Sequence, residues 1–387
     1  MARVFDDLEL GHLREVLTSG RLGWASGGMV TRFEEAFARL VGSRYAIGRN
    51  SAMTGLAQAV TVSGAGTGYE VICDPIVHFG GLAALYFNAV PGFADVRPDT
   101  FLLDPESVRA NITPRTKAVI VTNLWGLCAE LDELRQICDA NGLFLIEDCA
   151  HVIGATWKGK HAGTYGDLGV FSFQQGKHLP TGDGGMLTTD REDLYDKIYG
   201  EWAFSGESPA FMTLNFRMNE VTGAVGLGQV QRVTEYVQQY TRGLHRLNEA
   251  IAGCPWLRAR HVPDGAEQVG YIWACAWEGD RYGLDLDRFK QVCGEVGLRL
   301  NSGFAQLNVP AYHFDIFKGS TAYGEPDCPV RCPFYVAESD YRYRPGLCPV
   351  AEDLIPRFLR LGLVEVSDEE NARRADLLQE AIRRMGR

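Results

Sequence analysis

The chain has 387 residues, 46% of them hydrophobic and 22% charged, with a formal net charge of −11. That composition suits a globular protein with a large core, and the length suits two domains or one large and one small. The negative balance argues against nucleic acid or an anionic membrane as a partner.

The first residues, MARVFDDLELGHL, are acidic and amphipathic, and no apolar run is long enough to span a bilayer. A cytoplasmic location is therefore expected. Residues 6–19 read as an amphipathic helix ending near Gly20. Thr31–Leu40 reads as a second helix, with Thr31 and Glu34 in capping-box spacing. The glycine-rich GRLGWASGGMV between them is too loose for a nucleotide loop, and no lysine follows in the required place. From Tyr45 onward strands and helices alternate. Tyr45–Ile47, Glu70–Asp74, Pro91–Asp95, Ala118–Asn123 and Leu143–Asp148 read as strands, with helices over 50–62, Phe79–Phe87 and Leu131–Asn141. The apolar run Leu168–Phe173 is a further buried strand. A polar loop with one lysine, Lys177, separates it from a strand over Gly185–Thr188.

This alternation predicts an α/β fold with a mainly parallel sheet covered by helices on both faces. Ligands of such sheets collect beyond the carboxyl ends of the strands. Asn50, Asp74, Asn123, Asp148 and Ser172 all stand at such ends. Asn215–Arg232 opens with NFRMNE and continues as a helix rich in Gly and Ala (VTGAVGLGQVQ), followed by a long helix to about Leu247. Ile272–Glu278 reads as a strand, Asp285–Val296 as an amphipathic helix, and 301–350 as loop-rich. Ser367 opens the final helix. These features predict a large domain over 1–242 and a smaller α+β domain over 243–387. Of the ten cysteines, only Cys328, Cys332 and Cys348 lie close together. They lack a CxxC-type pair, so no metal site is expected.

Lys177, set between two buried strands, is a candidate Schiff-base nucleophile. Desolvation lowers the pKa of an amine, and the free amine attacks carbonyls. The alternative is an ordinary surface-loop lysine. A pyridoxal phosphate enzyme needs, besides the lysine, an anion opposite the pyridine nitrogen, phosphate ligands, and a flat apolar group on the ring. Asp148 is placed for the anion, or else for a helix cap. The amides of Ala52 and Met53 and the hydroxyl of Ser172 are placed for the phosphate. Phe79 is placed for the ring, or else for the core. No GxGxxG joins a strand to a helix, so nicotinamide chemistry has little support.

In this order, VLTSGRL, NSAMTGL, DPIVHF, FADVRPDTFLLDPESVRANITPRTKAVIVTNLWG, IEDCAHVIGATWKGKHAGTYGDLGVFSF, the lysine followed by GDGG, NFRMNEVTGAVGLGQV and CPVAEDL resemble the DegT/StrS sugar aminotransferase family. The resemblance covers nearly the whole chain and implies a fold type I pyridoxal-phosphate enzyme. By position, Lys177 resembles the internal-aldimine lysine and proton shuttle, and Asp148 the pyridinium partner. His151 falls near the cofactor's ring hydroxyl, unless it is a satisfied core histidine. Ser172 with the amides of Ala52 and Met53 resembles the phosphate cup, and Phe79 falls at the ring-stacking position. Asn215 resembles the asparagine that reaches the phosphate of a neighbouring subunit, which implies an obligate homodimer with shared active sites.

A branch of sugar 3-dehydratases carries His where this chain has Lys177, so the resemblance favours transamination. It implies a ping-pong reaction through pyridoxamine phosphate, from glutamate or glutamine to a keto-sugar or keto-cyclitol, in amino-sugar or antibiotic biosynthesis. Four departures stand out. Gly176 replaces a Ser or Thr, Gln174-Gln175 an aromatic/His-Pro pair, His178 an Asn, and Asp183 a Glu. The Gln-Gln form resembles the subgroup acting on inosose-type cyclitols and the aminohydroxybenzoate synthases, so a dehydrating or aromatising enzyme is the alternative. Gln175 is a candidate substrate or phosphate contact, or else a structural amide. Acceptor contacts are expected from 180–215, 301–350 and the partner chain. Arg342 and Arg344 are candidates for a phosphate, or else solvated surface.

Overall fold

Nine short strands lead through the first half of the chain: β1 (Tyr45–Arg49), β2 (Glu70–Cys73), β3 (Val90–Phe93), β4 (Thr116–Thr122), β5 (Phe144–Asp148), β6 (Thr156–Trp157), β7 (Lys160–His161), β8 (Leu168–Ser172) and β9 (Gly185–Thr189). The structure is a computed structural model, and it describes residues 3–200, 214–304, 307–318, 328–330 and 343–386. Among the described residues, seven of these strands form one sheet in the order β1-β9-β8-β5-β4-β2-β3. The steps from β3 through β2, β4 and β5 to β8 are parallel, and β9 runs against both its neighbours. The near-continuous burial of these strands is what a sheet covered on both faces requires.

Aromatic packing fixes β8, the strand that leads to Lys177. Phe171 and Phe173 face the helix Met29–Val41, where Phe37 lies 4.9 and 5.3 Å from their ring centroids and Phe33 lies 5.1 Å from that of Phe173. Alternation sends Val170 and Ser172 to the other face. There the helix Ala52–Val62 packs so closely that a Cβ on Gly55 would meet Val170 at 3.0 Å. This helix starts at Ser51, whose hydroxyl accepts from the Thr54 amide at 3.1 Å.

A second group of strands comprises β10 (Leu257–Ala259), β11 (Ala266–Glu267), β12 (Ile272–Trp277), β13 (Asn301–Ser302) and β14 (Phe358–Gly362). Four of them form an antiparallel sheet in the order β10-β12-β14-β13, while β11 joins β6 and β7. The helices Val233–Ile251, Leu286–Glu295 and Asp368–Met385 share a second hydrophobic core with Trp273, Trp277, Leu359 and Leu361 of this sheet. The architecture is thus α/β with a smaller C-terminal α+β part. No helix among the described residues is long and apolar enough to cross a membrane.

Two local readings need correction. The second helix begins at Met29 with Gly28 as N-cap. Thr31 therefore lies inside the first turn, and Glu34 turns inward to accept from the Gly48 amide at 2.7 Å. The cap comes from elsewhere: the Glu220 carboxylate takes the amides of Met29 and Val30. A long-range cap of this kind leaves no signal at capping-box spacing. The Gly- and Ala-rich helix expected after NFRMNE runs from Glu220 to Gln229, with Asn219 as N-cap. The preceding residues bridge back to β1, Arg217 pairing with Arg49. Finally, the long helix expected to end near Leu247 continues to Ile251.

Candidate active site

A cavity of about 280 Å³ opens beyond the carboxyl ends of β5 and β8. β5 delivers Asp148 as its last residue, and the turn after it delivers Ala150 and His151. β8 delivers Ser172, and the loop that follows delivers Gln174, Lys177, Asp183 and Gly184. The start of the helix Ala52–Val62 contributes Ser51, Ala52 and Met53, and Phe79 comes from the first turn of the helix His78–Tyr86. Lys177, Asp148, His151, Ser172, Ala52, Met53 and Phe79 therefore share one cavity although up to 125 positions separate them in sequence.

The electrostatics are those of a dry site. Burial lowers the Lys177 amine to about 8, with the nearby Asp148 charge working in the opposite sense. Asp148 is 2% exposed, and desolvation pushes its carboxyl above the ordinary range. Among the described residues only the Ala150 amide donates to it, at 3.1 Å, helped by the charge of Lys177. His151 is held far below its usual value, first by burial and then by the positive charges of Lys177, His178, Arg360 and Arg260. Its imidazole is therefore neutral, and its Nδ1 has no hydrogen-bond partner among the described residues.

At the opposite end, the Ser51 hydroxyl occupies the Thr54 amide. The amides of Ala52 and Met53, at the first two positions of the helix, have no intrahelical acceptor. A helix start with free amides beside the Ser172 hydroxyl suits a phosphate group. β9 reaches this end only because residue 185 is glycine: a Cβ there would lie 2.6 Å from the Ala52 nitrogen. An under-bonded carboxylate, a buried amine, a neutral imidazole with an open nitrogen and free helix-start amides together fit pyridoxal phosphate.

Other strand-end residues go elsewhere. Asp74 accepts from Thr122 Oγ1 at 2.6 Å and from the amides of Ile76 and Val77 at 2.9 and 2.8 Å. Asn123 accepts from the Ala129 amide and donates to Glu147. The Asn50 side chain donates to the Asn215 carbonyl at 3.1 Å. Asn215 itself does not line the cavity; its side chain accepts from the Arg217 amide at 3.3 Å. Gln174 lines the cavity, whereas the Gln175 side chain donates to Glu365 at 3.2 Å. His178 is buried against the Gly270 carbonyl at 2.9 Å. Arg344 is exposed, while Arg342 and Cys332 lie outside the described residues.

Tyr271 escaped the sequence reading. Its ring stacks on His151 with centroids 4.6 Å apart, and the Lys177 ammonium lies 5.3 Å from its centroid. It sits one residue before β12, and nothing in its local pattern distinguishes it from a core tyrosine.

Comparison with known proteins defines the class. The structure matches the crystal structure of 3-amino-5-hydroxybenzoic acid (AHBA) synthase with a TM-score of 0.82 and 25% identity, covering 99% of this chain and 98% of that one. With the site described above, this makes the fold that of the type I pyridoxal-phosphate-dependent aminotransferases. Residues 5–287 match the DegT/DnrJ/EryC1/StrS aminotransferase family, and the chain belongs to that family. It is 30% identical over 344 residues to the spore coat polysaccharide biosynthesis protein SpsC of Bacillus subtilis, covering 84% of this chain and 87% of that protein. It is also 30% identical over 341 residues to the L-glutamine:2-deoxy-scyllo-inosose aminotransferase of Streptoalloteichus tenebrarius, covering 82% and 80% of the two chains.

Proposed function

We propose that this aminotransferase moves an amino group from glutamine or glutamate to a keto-sugar or keto-cyclitol in two half-reactions. The observation that carries this reading is the pairing of a buried Lys177, its pKa lowered to about 8, with Asp148 in one cavity. The relative named for glutamine and 2-deoxy-scyllo-inosose supports the donor and the cyclitol. The relative named for polysaccharide biosynthesis supports a sugar.

Pyridoxal phosphate, when bound, supplies the electron sink for breaking a C–H bond beside the transferred nitrogen. Lys177 Nζ, partly free of its proton at neutral pH, would tether the cofactor at its aldehyde group and would be the base that moves the proton. Asp148 would hold the positive charge of the pyridine nitrogen; a carboxylate with one donor among the described residues and a raised pKa needs such a cation to stay ionised. His151, neutral, would lie by the ring hydroxyl. Phe79 would cover the ring, and the amides of Ala52 and Met53 with Ser172 would hold the phosphate. Asn215, outside its own cavity, serves the site of a second copy, so the enzyme works as a homodimer. Residues 1–242 form the cofactor-binding unit and 243–387 the smaller one, a division supported by the second hydrophobic core. The setting is cytoplasmic amino-sugar or antibiotic biosynthesis.

The likeness to 3-amino-5-hydroxybenzoic acid synthase favours an aromatising reaction as the second reading. One experiment separates the two. The protein is loaded with pyridoxal phosphate and mixed with glutamine or glutamate alone. Transamination converts the absorbance near ~420 nm, the signature of a lysine-bound cofactor, to that of the aminated cofactor. A spectrum that neither donor changes overturns the proposal.

A further inference from the structure

The loop that carries Lys177 is held from outside by two residues that do not line the cavity, Arg3 and Glu365. Gln174, Gln175 and Gly176 are exposed, and Gly176 adds backbone freedom directly before the lysine. Inside the loop, the Gln175 amide donates to the Gly182 carbonyl at 2.8 Å and the Lys177 amide to the Gln174 carbonyl at 2.9 Å. Three further bonds come from outside. Arg3 Nη1 donates to the Gln175 carbonyl and, at 3.0 Å, to Glu365 Oε1. Gln175 Nε2 donates to the same Glu365 oxygen at 3.2 Å. Each pair among Arg3, Gln175 and Glu365 is thus hydrogen-bonded, although Arg3 and Glu365 stand 362 positions apart. On the other side of the lysine, the His178 ring meets the Gly270 carbonyl at 2.9 Å.

Both outer members are fixed independently of the loop. The residues before the first helix are tied to the helices Glu220–Gln229 and Val233–Ile251 and to the turn between them. The Val4 amide donates to the Tyr236 hydroxyl at 3.0 Å, and the Val4 carbonyl accepts from Gln229 and Arg232, both at 2.8 Å. Arg232 also pairs with Asp6 at 2.6 Å. Glu365 sits between β14 and the final helix with a φ of +65°, a left-handed backbone that a residue other than glycine adopts at a cost. The Arg3 side chain is 2% exposed but that of Glu365 is 50% exposed. An ion pair with so exposed a partner adds little stability. What the strained turn delivers is an acceptor that Arg3 and Gln175 share.

We propose that Arg3 and Glu365 are positioning residues for Lys177: they clamp the carbonyl and the side-chain amide of Gln175 and so keep the lysine turned into the cavity. This rests on the aminotransferase reading above. The Lys177 amine is lowered by burial, with Asp148 opposing, so the fraction that is free depends on how closed the loop stays. The titratable groups that face it are Asp148, His151 and Asp183 around the cavity, Tyr271 with its ring, and His178 on the same loop. Removing the clamp leaves all of them in place. Glu365 belongs to the smaller part of the molecule and Gln175 to the larger, so the contact also makes the burial of the amine depend on how the smaller part is seated.

The test uses two variants of opposite charge, Arg3→Met and Glu365→Met, in the full chain. Direct electrostatics would move the Lys177 amine in opposite directions, since losing a cation raises its pKa and losing an anion lowers it. A loosened loop admits water and raises it in both. The pH dependence of cofactor attachment to the apoprotein reads the amine. Both variants are expected to move the midpoint upward by about 0.5 to 1 unit, which slows attachment at pH 7 by about 3- to 10-fold. Arg3→Lys should recover part of the loss, and the double variant should add little to the larger single effect, because both residues act through one clamp. Hydrogen exchange on the apoprotein, which needs no cofactor, should quicken over residues 174–178 in both variants. If Glu365→Met does not fold, Glu365→Gln, which keeps the shape and removes the charge, takes its place. Shifts of opposite sign, an unmoved midpoint or unchanged exchange overturns the assignment. Quickened exchange in a protein that attaches no cofactor would leave the clamp standing and overturn the functional reading; attachment indifferent to both substitutions would do the reverse.

Discussion

Glu147 and Asp148 are neighbours on β5, and their side chains leave the sheet on opposite faces. Both are buried carboxylates pushed upward by desolvation. On one face, Glu147 accepts from the amides of Gly163, Tyr165 and Gly166 at 2.7 to 2.8 Å and from Asn123 at 3.2 Å. It ties the turn after β7 to the sheet. On the other face, Asp148 has the Ala150 amide and the charge of Lys177. A buried acid with four donors has spent its acceptor capacity on the fold. One with a single donor retains capacity for a ligand. Asp74, with three donors, falls with Glu147, although it too stands at a strand end.

The comparison can be tested directly. The largest effect is expected from Lys177→Ala: cofactor bound without a covalent link, and turnover reduced by at least about 10⁴-fold. Borohydride reduction followed by peptide mass analysis locates the link, and full turnover in the variant contradicts the role. Asp148→Asn should cut the rate by about 10² to 10³, the range for losing one electrostatic partner in a dry site, with the melting temperature little changed. A mild rate effect would show that the ring nitrogen needs no carboxylate. Glu147→Ala should reverse that pattern. It strands one buried and two half-buried amides and should cost at least about 3 kcal/mol of stability, read as a lowered denaturant midpoint. If its stability matches that of Asp148→Asn, counting donors does not separate the two faces.

A smaller effect concerns pH. With Lys177 lowered to about 8, roughly a tenth of the amine is free at pH 7. The rate of cofactor attachment to the apoprotein should therefore rise with pH and level off above about 8. A profile still climbing steeply to pH 10 would mean that the amine is not desolvated. The smallest effect is expected at Thr31, which caps nothing. Thr31→Ala should shift stability by no more than about 0.5 kcal/mol, whereas Ser51→Ala should cost about 1 kcal/mol for its lost cap. Equal losses would restore the capping-box reading that the structure sets aside.

Much of the large sheet and most of the cavity were legible in the residues themselves. Buried parallel strands are apolar runs with turn residues at their ends, so β2, β4, β5 and β8 announce themselves locally. The residues beyond their carboxyl ends are the ones a ligand can reach. That reasoning places Asn50, Asp74, Asn123, Asp148 and Ser172 in one region without coordinates; Lys177 and the amides of Ala52 and Met53 join them through what a pyridoxal phosphate site must supply. It cannot say which strand-end acid is open, because that depends on donors brought in from distant segments. The amides that saturate Glu147 lie 16 to 19 positions along the chain. The cap of the helix Met29–Val41 comes from Glu220. Tyr271 reaches His151 from across the fold. Local pattern carries periodicity and chemistry type, and so it determined the architecture and nominated the candidate site residues. Hydrogen-bond satisfaction and the neutralisation of buried charge are sums over neighbours distant in sequence. Only the tertiary structure could therefore show that Asp74 spends its acceptors on Thr122, Ile76 and Val77 while Asp148 faces the cavity.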